Sequence, residues 1–377
     1  MAIYRRQRLL LAAVLTASFP AQATTGQYTI SILGRVQHQY DESAFNAAYV
    51  NDTGVVAGSA IVRVPDNFGL TQRAVIWQNS TPHYTILGSI SEASKEDSLA
   101  TWINNSGIAV GQSAENTSSG VVYVPAIFTP TGIVDLGIKN ASSGIAVCIN
   151  NSNQVVGNLT WVKPGQGYTG ASVQAFIYQN GVMTLLGYPA SNWGYDVTTA
   201  INNNGLIVGA TAFAAETPAH AAYYTDGAWV DLGTIGNPLT YTGTATSVND
   251  SGTILGIWSN PDYFGEGPRS GYFIYQNGQI NMLLTPVRYA PGPYTPFINN
   301  AGQIVVANWT AIPNGGGWHD LNDIDLGDGW TFSQALGINN AGAIFGIVYR
   351  QVNGTNLYRA ALLTPVTSNQ QPASSTP

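Results

Sequence analysis

Four histidines, His38, His83, His220 and His319, are the whole imidazole complement of the 377-residue chain, and no His-x-x-x-His or Cys/His cluster forms a metal-ligating set. His220 belongs to a recurring triplet described below and reads as structural; His319-Asp320 is the most unusual pair. Cys148 is the single cysteine, so no disulfide forms within the chain. Its apolar run Ile145-Ala146-Val147-Cys148-Ile149 marks a buried small hydrophobe rather than a reactive thiol. No nucleophile elbow, phosphate loop or dinucleotide fingerprint stands in a strand–helix context. What remains for catalysis is a pair of carboxylates. Asp97 and Asp196 each lie close to the start of an expected strand, and a glycosidase needs two such groups at a defined separation, so the enzymatic alternative is a polysaccharide-cleaving hydrolase or lyase with carboxylates at the funnel mouth. Asp262, Glu266 and Glu96-Asp97 offer oxygen donors, but no Asp-x-Asp-x-Asp-Gly loop gathers them, so no metal and no cofactor is expected.

Binding has more material. Trp193, Tyr195, Trp258, Tyr263, Trp309 and Trp330 are the candidate ligand contacts, interspersed with carboxylates such as Asp41, Glu92, Asp196, Glu216 and Glu266. An aromatic face beside hydrogen-bonding groups suits a sugar, which presents C–H faces and hydroxyl edges, and equally suits a protein interface. Whether these residues share one surface depends on the elements that carry them.

Composition narrows the possibilities. Only 9% of residues are charged, with 13 Lys+Arg against 20 Asp+Glu, while 45% are hydrophobic and 42 are Gly. Residues 1–23 read as a secretory leader: Arg5, Arg6 and Arg8, an apolar stretch from Leu9 to Phe19, and an Ala21-Gln22-Ala23 cleavage site. Its loss takes the formal charge from −7 to −10, which disfavours nucleic acid as a partner. No later apolar run approaches the ~18 residues of a membrane helix, so no membrane span is expected. The charge-free stretch 367–377 reads as a disordered tail.

One phrase recurs seven times: Val50-Asn51-Asp52-Thr53-Gly54, and its relatives beginning at Ile103, Ile149, Ile201, Val248, Ile298 and Ile338, at a mean spacing of 48 residues. An apolar β-branched run follows each copy, so the phrase is a hairpin turn in which Asn bonds its own backbone and Gly takes the left-handed conformation. Asn153 replaces Gly in the third copy. A second hairpin follows, as in Ala175-Phe176-Ile177-Tyr178-Gln179-Asn180-Gly181 before Leu185-Leu186-Gly187. Four short strands per period is one propeller blade. The last copy runs out after Leu362-Leu363 without a fourth strand, and Tyr28-Thr29-Ile30-Ser31-Ile32-Leu33-Gly34 matches the missing one. The expectation is an all-β, seven-bladed propeller over residues 24–366, closed by the N-terminal strand; an open solenoid would leave two unpaired edges. Asp135, Asp231 and Asp325, in Asp-Leu-Gly, are expected to guard outer edges with charge.

The alternation of Ile-Asn-x-x-Gly-x-Val-Val-Gly, Ala-Phe-x-Trp/Tyr and Asp-Leu-Gly resembles the bacterial extracellular HAF-repeat family, with the His-Ala-Phe triplet appearing as His220-Ala221-Ala222, Gln174-Ala175-Phe176, Arg73-Ala74-Val75 and Arg359-Ala360-Ala361. The sixth repeat departs most, with Trp318-His319-Asp320-Leu321 before Asp325-Leu326-Gly327. The resemblance implies a secreted propeller-like protein and transfers no catalytic residue.

Strand order places the Asn-x-x-Gly and Gln-Asn-Gly turns on one rim and the variable connections, with the aromatics above, on the other. Variable loops on a rigid repeat are where binding usually sits. The expected activity is non-catalytic binding of an extracellular ligand, a glycan or cell-surface polymer, by a secreted or periplasmic protein. The alternatives are cleavage by Asp97 and Asp196, or a structural role with a protein partner.

Overall fold

The repeat phrase folds as its residue types require. In the first copy the Gly54 N–H donates to Asn51 O and the Asn51 N–H to Val55 O, both at 3.0 Å, and Gly54 has φ +80°. This is a type I turn closed by a left-handed bulge residue. Asn153 takes the same place at φ +60°, the conformation that Asn tolerates best among residues with a Cβ.

A computed structural model of the chain describes residues 28–33, 46–63, 70–78, 84–91, 97–162, 171–187, 196–213, 218–235, 239, 241–260, 269–283, 295–306 and 318–366. The expected leader 1–23, the expected tail 367–377 and the site candidates Trp193, Tyr195, Tyr263 and Trp309 lie outside them. After β1 (Tyr28–Ile32), the first repeat holds β2 (Asn46–Val50), β3 (Val56–Arg63), β4 (Leu70–Trp77) and β5 (Tyr84–Gly88). The second holds β6 (Ser98–Ile103), β7 (Ala109–Thr117), β8 (Gly120–Thr129) and β9 (Gly132–Asp135). In the third are β10 (Ser143–Ile149), β11 (Val155–Trp161), β12 (Ser172–Gln179) and β13 (Val182–Leu185). The fourth has β14 (Asp196–Ile201), β15 (Ile207–Thr211), β16 (His220–Thr225) and β17 (Ala228–Asp231). The fifth has β18 (Thr242–Val248), β19 (Ile254–Ser259), β20 (Ser270–Gln276) and β21 (Gln279–Leu283). The sixth contributes β22 (Phe297–Ile298) and β23 (Ile304–Val305), and the seventh β24 (Thr331–Ile338), β25 (Ile344–Val352) and β26 (Thr355–Pro365).

The fold is a β-propeller with six four-stranded antiparallel blades, each strand paired to the next in sequence except in the last blade, ordered β1-β26-β25-β24. There β1 lies antiparallel to β26, Tyr28 opposite Pro365 and Ile32 opposite Ala361. Seven blades of four strands were expected. Among the described residues the sixth repeat holds only the pair β22-β23 and a 3-10 turn, Leu321–Asp323. The local reason is Asp320, whose Oδ1 accepts the Asn322 N–H at 2.9 Å and so caps a helical turn where other repeats run a strand. The repeat keeps its anchor nonetheless, with Leu326 6% exposed in an apolar cluster with Phe332 and Leu363.

The glycine of Val-Val-Gly has a mechanical cause. It lies on each blade's second strand, opposite a β-bulge in the first, such as that between Ala146 and Cys148. A Cβ on Gly157 would stand 2.2 Å from Ile145 O and 2.4 Å from Phe176 Cζ, and Gly111, Gly209, Gly256 and Gly346 face the same kind of backbone oxygen. The bulged residue of several first strands reaches the next: Thr101 Oγ1 donates to Ala146 O at 2.8 Å and Thr199 Oγ1 to Ala245 O at 2.6 Å. Apolar clusters fill the seams between blades, as where Val208 and Ala221 of the fourth meet Phe273 and Ile254 of the fifth.

Candidate functional site

The two rims differ in what they leave free. On the regular rim the first Asn of all seven turns is no more than 5% exposed. Each donates its Nδ2–H to the backbone carbonyl of the corresponding Asn in the next repeat: Asn51 to Asn104, then Asn150, Asn202, Asn249, Asn299 and Asn339, whose amide returns to Asn51 O, at 2.8–3.2 Å. The same side chains turn Oδ1 back on their own turns, Asn202 accepting the N–H groups of Asn204 and Leu206 at 3.1 and 2.8 Å. A second circle lies outside the first. The backbone N–H at the following position donates to the side-chain Oδ1 of the next repeat, through Asp52, Asn105, Asn151, Asn203, Asp250, Asn300, Asn340 and back to Asp52, at 2.8–3.0 Å. Its two carboxylates are committed as well. Asp52 Oδ2 accepts the amides of Asn105 and Asn340, and Asp250 Oδ2 those of Asn203 and Asn300.

The sequence reading treated these asparagines as turn formers alone and missed the circles. The signal was present, since the second position of every copy is Asn or Asp, a restriction that a turn alone does not impose.

The other rim carries the described part of the candidate set. Asp97 Oδ1 accepts from Thr71 Oγ1 at 2.8 Å and from the Gln72 N–H at 2.9 Å, tying the second blade to the first. Asp196, 1% exposed, accepts from Thr211 Oγ1 within its own blade, and its Oδ2 is buried with no partner among the described residues. Burial raises its carboxyl from 3.8 to about 6, against the lowering effect of the Thr211 hydroxyl. The two aspartates share no hydrogen-bond partner and occupy different register positions. Asp196 lies two residues before Thr198, opposite Gly209, whereas the corresponding residue of the second blade is Ser98, two before Ala100, opposite Gly111. Trp258 is 2% exposed, inside the cluster with Tyr241 and Phe273, so its ring is core and offers a ligand no face. Trp330 packs half-buried against the apolar cluster that includes Phe332 and Val348, with the Arg350 guanidinium 4.7 Å from its ring centroid.

Other candidates find local explanations. His220 Nδ1 and Asp231 Oδ2 are 2.9 Å apart on adjacent strands. Asp320 of His319-Asp320 is the cap described above. Asp135, Asp231 and Asp325 each accept the N–H of the glycine two residues on, at 2.7–2.9 Å, so the first residue of Asp-Leu-Gly is a turn acceptor, and Asp135 and Asp231 also end the exposed outer strands of their blades. Cys148 is buried, its thiol pushed up to about 12 by desolvation. Among the described residues no group of three His, Cys, Asp or Glu could hold a metal ion, and no helix is long and apolar enough to cross a membrane. No protein-family model matches the chain, and no curated protein matches it.

Proposed function

We propose that the chain is a secreted, non-catalytic binding propeller that holds a glycan or cell-surface polymer on its variable rim. The observation that carries this reading is the double circle of hydrogen bonds. It spends the amides and carboxylates of the seven Asn-x-x-Gly turns on the scaffold itself, which favours recognition on the opposite rim, where loop length and composition vary. The separate commitments of Asp97 and Asp196 favour binding over cleavage. In the same reading β22 and β23 begin a seventh, irregular blade, and β1 closes the ring as the outer strand of the last one; seven turns in each circle and the pairing of β1 with β26 support this. Kinship with the HAF-repeat proteins rests on the shared motifs, and secretion on the leader-like segment.

The test is a glycan array probed with the chain lacking residues 1–23, each hit then incubated with protein and weighed by mass spectrometry. Specific binding with the ligand intact supports the reading. Cleavage returns Asp97 and Asp196 to the centre, and a silent array overturns the glycan assignment in favour of a protein partner or a structural role.

A further inference from the structure

The last blade extends beyond its neighbour strand on the variable rim. Pairing of β24 with β25 stops at Thr331–Tyr349, while β25 and β26 continue through Arg350–Leu357, Gln351–Asn356 and Val352–Thr355, an overhang of about 10 Å at 3.3 Å per residue. A two-residue Asn353-Gly354 turn, both φ positive at 50° and 79°, closes it rigidly. Trp330, directly before β24, stands at its base.

Arg350 lies over the Trp330 ring, and that ring rests in turn on the blade's apolar cluster. Trp330 is therefore a platform for a guanidinium. The cation is otherwise uncommitted: its Nε is buried without a hydrogen-bond partner, and no described carboxylate pairs with it. Leu357, half-buried, faces it across the hairpin, and Arg359 follows two residues on along the same face of β26. In a chain with a formal charge of −7, a guanidinium without a carboxylate partner on this overhang is a local positive spot.

We propose that Arg350, seated over Trp330, is the anion-recognising subsite of the binding rim, and that its ligand is an acidic glycan bearing uronate carboxylates. The inference rests on the glycan reading above and names the class of glycan. A guanidinium fork receives a carboxylate through two parallel charge-assisted hydrogen bonds, which a compact ammonium cannot reproduce. Contact with the aromatic ring restrains the guanidinium before the ligand arrives, so less side-chain entropy is lost on binding. Leu357 supplies an apolar surface for the C–H face of the same sugar.

The experiment is calorimetric titration of the chain lacking residues 1–23 with oligogalacturonate and with its fully methyl-esterified form, which keeps the sugar backbone and removes the charge. The acid should bind and the ester should bind at least tenfold more weakly. Arg350→Gln should weaken the acid about ten- to a hundredfold, the scale of a charged hydrogen bond, and leave the ester unchanged. Arg350→Lys should fall between. Unaltered melting curves establish that the variants are folded. Equal affinity for acid and ester, or an Arg350→Gln variant that binds the acid as well as the parent, overturns the inference while leaving glycan binding intact. Preference for an acidic peptide overturns it in favour of a protein partner. Failure to bind any glycan overturns both this inference and the reading beneath it.

Discussion

Asp196→Asn isolates the buried carboxylate. In the folded chain the group holds its proton up to about pH 6, against 3.8 for its ordinary value, and the cause is burial. The folded state thus binds this proton more tightly than the unfolded state, and the stabilisation is complete only while the group is protonated. It fades as pH rises through about 6, because the unfolded chain ionises first and freely. A difference of roughly two pKa units corresponds to about 3 kcal/mol, and the position of Asp196 at the start of its strand, near the rim, argues for discounting this to about 2 kcal/mol. Asparagine keeps an acceptor for the Thr211 hydroxyl and cannot ionise. The amide left in place of Oδ2 carries its own desolvation cost, but that cost is the same at every pH. The quantity to measure is therefore the change in the variant-minus-parent difference between pH 4 and pH 8, from urea unfolding at each pH. It should favour the variant at pH 8 by about 2 kcal/mol relative to pH 4, with the change centred between these values. Parallel stability profiles for the two proteins across that range would refute the argument that Asp196 is ionised without compensation.

Gly157→Ala should cost about 3 kcal/mol or prevent folding, because the added methyl meets a backbone oxygen at 2.2 Å that the bulge holds in place; urea midpoints would show it, and a shift under 1 kcal/mol would contradict the bulge account. Asn202→Ala removes one donor to Asn249 O and the acceptor for two backbone N–H groups, all in the inner circle, and should destabilise by about 3 kcal/mol in the same assay, against well under 1 kcal/mol at exposed Asn281 on β21. A chain starting at Val36 lacks β1 and exposes the long edge of β26, so it should aggregate or lose a large part of its thermal stability; unchanged melting and a monomeric elution profile would contradict closure by that strand.

The turn chemistry was legible because it is local. Asn, Gly and the β-branched run after them specify a hairpin without reference to anything distant, and the structure has Gly54 and Asn153 in the left-handed conformation expected of them. Propeller architecture followed from period and strand number. The sixth repeat was only half legible. Its Asp325-Leu326-Gly327 was recognised, but the capping interaction of Asp320 competes with a strand in a way that motif matching does not weigh. Side-chain direction was the other gap. Trp258 read as a loop aromatic because it follows the last obvious apolar residue of its strand, yet β19 runs on to Ser259 and turns that ring inward. Arg350 drew no notice because its meaning comes from a tryptophan about twenty residues away across a strand pair.

The inner circle of asparagines has a consequence for how such a chain can change. Each amide points the same way round and finds its acceptor one repeat ahead, so the circle works as a caliper for copy number. Adding or deleting a repeat would alter the angle between every pair of neighbours and strand amides and carbonyls that are now buried. Loops on the far rim face no comparable constraint. A lineage built on this ring is free to vary its reach and its ligand from loop to loop while its count of turns stays locked.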